Sequence, residues 1–171
     1  MRVHRVALAL FALLSAAPFG ATAADPRCRN YSWSLGERID LFDAGYMPVY
    51  ESGQWLPKEG VFALKLKPAA DVVYRVPPER GMDSGFGGVI TIESLPAGRY
   101  QVVLTEEAWL DAVENYKRLP VLETVRARNC PGVRQTVEFD FSGEPLVLQM
   151  GGVGADHVSI AVVRVWNFPE K

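Results

Sequence analysis

Between residues 133 and 141 the chain alternates: Val133, Gln135, Val137, Phe139 and Phe141 fall on one side of an extended backbone, and Arg134, Thr136, Glu138 and Asp140 fall on the other. Successive side chains of a β-strand point to opposite faces, so such a run has one side that needs a second layer to bury it and one side that suits solvent. The same period recurs at 61–67, where Phe62, Leu64 and Leu66 oppose Lys65 and Lys67, at 89–93 through Ile90 and Ile92, and at 100–104 through Tyr100, Val102 and Leu104. The run 157–166 is apolar on both sides, the pattern of a central strand covered on each face. Residues 71–76 and 146–150 add short strands, while 31–35, 38–42 and 48–56 read as short strands or extended edges. Gly- and Pro-rich turns separate these segments and no βαβ rhythm links them. The pattern predicts an all-β fold, an antiparallel β-sandwich of jelly-roll or immunoglobulin-like type.

Two stretches interrupt the series. Residues 77–88 contain two Pro, four Gly and an Asp-Ser-Gly turn signal, so a long loop is expected there. Residues 105–119 admit two readings. Thr105 before Glu106 and Glu107 is an N-cap pattern, and Trp109, Ala112, Val113 and Tyr116 share a helical face, which gives one short helix near 106–118. The same residues also form a strand over 108–113 that turns at Glu114-Asn115.

Leu95-Pro96-Ala97-Gly98-Arg99-Tyr100 reads as a tight corner feeding a buried strand. Leu95, Gly98 and Tyr100 resemble the tyrosine corner of immunoglobulin-like and fibronectin-like sandwiches. The resemblance implies a tyrosine hydroxyl bonded to backbone where the chain passes between sheets. It covers about ten residues. No cysteine stands two residues after Tyr100, and more strands follow than an immunoglobulin-like domain carries at that point, so the corner is carried over and the family is not.

At the N-terminus Arg2 and Arg5 precede the apolar run 6–14, and small residues follow at 21–24. This is the three-part layout of a secretory signal peptide, which places cleavage after residue 23 or 24 and leaves 25–171 as a single domain. The run is too short to span a bilayer and no second long one follows, so the mature chain is expected to lack a transmembrane anchor and to be periplasmic or secreted. In an oxidising compartment Cys28 and Cys130, the only cysteines, are expected to form a disulfide; two buried thiols are the alternative.

Several chemistries are excluded by the residues present. The net charge is −2 before Arg2 and Arg5 are removed, and no Lys/Arg cluster offers a nucleic-acid footprint. Two cysteines and one histidine beyond the leader cannot close a tetrahedral metal site, and no calcium loop, P-loop or dinucleotide fingerprint is present, so no metal or cofactor is expected. His157 beside Asp156 and Ser159 lacks a nucleophile elbow, and Glu138 with Asp140 reads as ordinary strand surface, so no catalytic residue is assigned. What remains is recognition. Tyr46, Trp55 and Phe86 fall in turn-like or Gly-rich segments where aromatic rings stack on sugars or fill partner pockets, and Arg80 and Asp83 add polar groups to the long loop. The expectation is a non-enzymatic binding module with a protein or glycan partner of the envelope or extracellular space, a small hydrolase using the carboxylate pair being the remoter reading.

Overall fold

The computed structural model describes residues 28, 41–43, 45–78 and 84–165. The strands are β1 (Val49–Glu51), β2 (Trp55–Lys58), β3 (Val61–Lys65), β4 (Lys67–Pro68), β5 (Phe86–Ser94), β6 (Gly98–Leu104), β7 (Trp109–Glu114), β8 (Lys117–Arg118), β9 (Glu123–Arg126), β10 (Gln135–Phe141), β11 (Leu146–Val153) and β12 (His157–Arg164). They form two sheets packed face to face. The first runs β1-β3-β12-β6-β10-β9, and the second runs β2-β5-β11-β7-β8 with β4 also paired to β5. Pairing is antiparallel except at one edge of each sheet, where β1 joins β3 and β2 joins β5 in parallel. Those two short strands are consecutive, so the chain lends one edge to each layer before it enters the body of the sandwich.

Inward-facing residues of both sheets make one core. Phe62, Leu64, Tyr100, Val102, Leu104, Val137, Phe139, Val158 and Ile160 come from the first sheet and meet Ile90, Ile92, Leu110, Ala112, Leu146, Leu148 and Met150 from the second. Each large aliphatic or aromatic side chain taken out of water here contributes about 1.5–3 kcal/mol. The two expected faces of β12 are both covered: Val158, Ile160 and Val162 enter this core, while Ala161 and Val163 join a smaller cluster on the outer side.

That smaller cluster corrects one expectation. Thr136 and Glu138 are buried, although the alternation of β10 suggested a solvated face. Cys28, Ala127, Cys130 and Val133 pack over the outer side of the first sheet with Val103 and Ala161, and the Cys28–Cys130 disulfide lies within them. Glu138 answers burial by accepting a 2.8 Å hydrogen bond from Gln101 Nε2, while Arg134 and Asp140, the latter paired with Arg99, stay exposed.

The segment 105–119 holds a hairpin, not a helix: β7 turns at Asn115-Tyr116 into β8. Leu110 and Ala112 face the core while Trp109, Asp111 and Val113 face the opposite side of the sheet. A strand covered on both faces places apolar groups at spacings that a helix also satisfies. The strand expected at 71–76 is absent; a 3-10 turn (Ala69–Asp71) leads into an extended strap with no ladder partner. The expected loop ends at 85, because β5 absorbs Phe86, Gly87 and Gly88. Gly87 is required there, since a Cβ would lie 2.7 Å from the backbone carbonyl oxygen of Met150 as well as 2.5 Å from the Tyr74 hydroxyl.

Two of the connections that pass between the layers lie side by side. The chain passes from β5 to β6 through Leu95, which is buried, and Gly98, whose φ of +150° favours glycine. It passes from β10 to β11 through Ser142 and Gly143, where the buried carboxylate of Glu114 accepts from Ser142 N at 3.1 Å and Ser142 Oγ at 2.7 Å. The crossings touch: a Cβ on Gly143 would stand 3.4 Å from the Ala97 nitrogen.

Candidate functional site

The outer face of the second sheet carries a groove rimmed by exposed aromatic rings. Its floor is Thr91 of β5, Val147 of β11 and Val113 of β7, which stand side by side across three neighbouring strands and are almost fully buried. Trp55 of β2 pairs with Thr91 and leaves 53% of its surface exposed at one side. Tyr116, 69% exposed, rises at the other side, with Asn115 and Pro145 at the end. Arg75 completes the rim of this open groove, whose volume is about 170 Å³.

Local backbone chemistry explains how Tyr116 is presented. Asn115 and Tyr116 have φ of +48° and +60°, the left-handed pair of a type I′ hairpin turn. Asn followed by Gly is the usual solution, and a bulky ring at the second position is an outlier that costs of order 1 kcal/mol. The ring is held by Arg75, whose Cζ lies 4.7 Å from its centroid and whose Nη1 donates to the Tyr116 hydroxyl at 3.4 Å.

Arg75 in turn is placed by a buried amide. Gln149, fully buried on β11, accepts from the Arg75 and Val76 backbone nitrogens at 3.0 and 3.2 Å through Oε1. Its Nε2 donates to the Val76 carbonyl at 2.9 Å and to Asp111 Oδ2 at 3.1 Å. Asp111 Oδ2 also accepts from Arg118 Nε at 3.1 Å, and Arg118 Nη2 donates to the Pro77 carbonyl. The strap 72–78 therefore takes its hydrogen bonds from side chains of the sheet beneath it, which is why it forms no strand of its own. Tyr74 anchors it further: its ring lies 5.2 Å from that of Trp109, its hydroxyl donates to the Met150 carbonyl at 3.4 Å, and burial raises its pKa.

The residues singled out from sequence do not converge. Trp55 lies in the groove just described. Tyr46, 84% exposed, borders a separate depression with Leu41, Phe42, Met47 and Val61. Phe86 packs against the core on the other side of β5. Arg80 and Asp83 lie outside the described residues, as does the signal-peptide segment 1–24. Sequence reading missed Arg75, Asn115 and Tyr116. The Asn-Tyr pair closing an alternating run is a hairpin signal that could have located the turn, whereas nothing near Arg75 announces that a distant glutamine fixes it.

Groups with catalytic potential sit elsewhere and are engaged. Glu138 bonds Gln101, Asp140 pairs with Arg99, and Asp156 accepts from the exposed His157 at 2.9 Å, a bond that lowers the Asp156 pKa. Among the described residues no three His, Cys, Asp or Glu side chains cluster to hold a metal, and no helix is long and apolar enough to cross a membrane. Comparison with protein-family models, curated proteins and solved structures finds no match to this chain.

Proposed function

We propose that the protein is an exported β-sandwich that works by binding, and that the Trp55–Arg75–Tyr116 groove takes a glycan. The observation that carries the reading is Tyr116 itself: an exposed aromatic ring kept at a backbone position that prefers glycine, facing a groove whose opposite rim is a second exposed ring, Trp55. Aromatic faces stack on the C–H faces of sugars, and Arg and Asn supply hydrogen bonds to hydroxyls. A volume of about 170 Å³ is below the usual range for drug-sized ligands and suits a single sugar ring whose neighbours in the oligosaccharide extend into solvent. Export rests on the leader pattern at residues 1–24 and on the disulfide joining Cys28 to Cys130.

The test is a tryptophan-fluorescence titration against a panel of oligosaccharides, with Trp55→Ala and Tyr116→Ala alongside the parent protein. Saturable binding that weakens by about tenfold or more in each variant supports the reading. Binding unaffected by both substitutions contradicts it.

A protein partner is favoured by a different observation. Val121 and Leu122, 50% and 43% exposed, precede edge strand β9 beside a cavity of about 350 Å³ lined by Leu110, Thr124 and Val137. An exposed edge with apolar flanks is a template for strand addition. Loss of a purified partner's binding in Val121→Glu or Leu122→Glu, with Trp55→Ala unchanged, would move the function to that edge.

A further inference from the structure

Resting on the glycan reading of the groove, we infer that its ligand is acidic: a sugar ring bearing a carboxylate, with Arg75 as the residue that selects it. The guanidinium of Arg75 lines the groove and is exposed, and its contacts among the described residues are the ring face and the hydroxyl of Tyr116. No described carboxylate stands within ion-pair distance of it. The neighbouring arginine on the same sheet, Arg118, is committed to Asp111. In a chain of net charge −2, a cation left without a carboxylate partner at the rim of an aromatic groove is the group that an anionic ligand completes.

The geometry also prepares Arg75 for that role. Arg75 sits over the Tyr116 ring and gives one N–H to its hydroxyl, and its remaining N–H groups are the kind that bond a carboxylate. The backbone nitrogen of Arg75 is bound by Gln149, which is fully buried, so the strap is ordered before a ligand arrives. Pre-organisation of this kind lowers the entropic cost of binding. Trp55 on the opposite rim then fixes the ring while Arg75 reads the charge.

The experiment compares oligouronates (galacturonate, glucuronate-containing and mannuronate oligomers) with their methyl esters, which keep each ring and remove only the charge, by calorimetry on the full chain. Sulfated galactan and inorganic sulfate serve as further arms to separate a carboxylate from other anions. One oligouronate is expected to bind about tenfold or more tighter than its ester, with affinity falling as salt is raised. Arg75→Gln should weaken the oligouronate far more than its ester, so that acid and ester bind alike, and Arg75→Lys should restore the preference only in part. Circular dichroism confirms that both variants fold, the side chain being exposed. Equal binding of acid and ester overturns the selectivity and leaves a neutral glycan groove. Preference for the sulfated arm overturns the carboxylate assignment. Binding of none of these probes, neutral esters included, overturns the glycan reading itself.

Discussion

Tyr100 Oη donates a 2.9 Å hydrogen bond to the carbonyl of Pro96, closing the corner through which the chain passes from the second sheet to the first. The Tyr100 ring is fully buried and stacks on Phe141 at 5.1 Å, so the hydroxyl is delivered to the crossing by a ring that is itself part of the core. Tyr100→Phe removes one oxygen and leaves that packing in place. It should destabilise the protein by about 0.5–1.5 kcal/mol, the net worth of a part-buried hydrogen bond, because Pro96 is exposed and its carbonyl can turn to water. Denaturant melts check this, and a change of less than a few tenths would mean that the bond contributes nothing net.

The same tyrosine predicts a response to alkaline pH. Burial raises the pKa of Tyr100, with Glu59 adding to the shift and Arg164 opposing it, and burial raises that of Tyr74. Below about pH 10 both folded and unfolded chains keep these protons. Above it the unfolded chain releases protons that the folded chain retains, so stability falls as pH rises through the raised folded values. Melting temperatures measured across that window should decline, and the decline should be shallower in Tyr100→Phe.

The disulfide joins residues 102 positions apart and sits in the cluster packed on Val103 and Ala161 at the outer side of the first sheet. Replacing both Cys28 and Cys130 by Ala should cost about 2–5 kcal/mol. It should also raise hydrogen exchange at β10 more than at β11, since the lost cover lies over the first sheet. Uniform exchange in both sheets would show that the bridge acts only through the unfolded chain.

Gln149 ties the strap to the second sheet. Gln149→Leu leaves the Arg75 and Val76 nitrogens without their acceptor, which should cost about 1–3 kcal/mol and speed exchange at those two amides. Because Arg75 rides on the strap, this substitution at a buried position should weaken any ligand of the exposed groove as well. Unchanged exchange at Arg75 would separate the strap from the glutamine.

The layers of this fold were legible because a strand's period of two reports which residues face a core: Val137, Phe139 and Phe141 lie where the alternation puts them. The alternation carries no information about the opposite side. Glu138 looks like a surface acid in sequence, yet it is buried between β6 and β9 and bonded to Gln101. Trp55 was legible as an exposed ring after a turn. Its companions were not, because Tyr116 belongs to a hairpin that also reads as helix, and Arg75 owes its position to Gln149, which is distant in sequence.

Residue-resolved NMR most directly tests the claim that the groove on the second sheet is the binding surface. On addition of an oligouronate, amide shifts are predicted to cluster at Arg75, Thr91, Val113, Asn115, Tyr116 and Val147, with the Trp55 indole among them. Shifts confined to β9 and residues 121–122, or none with any acidic or neutral oligosaccharide, would contradict the account.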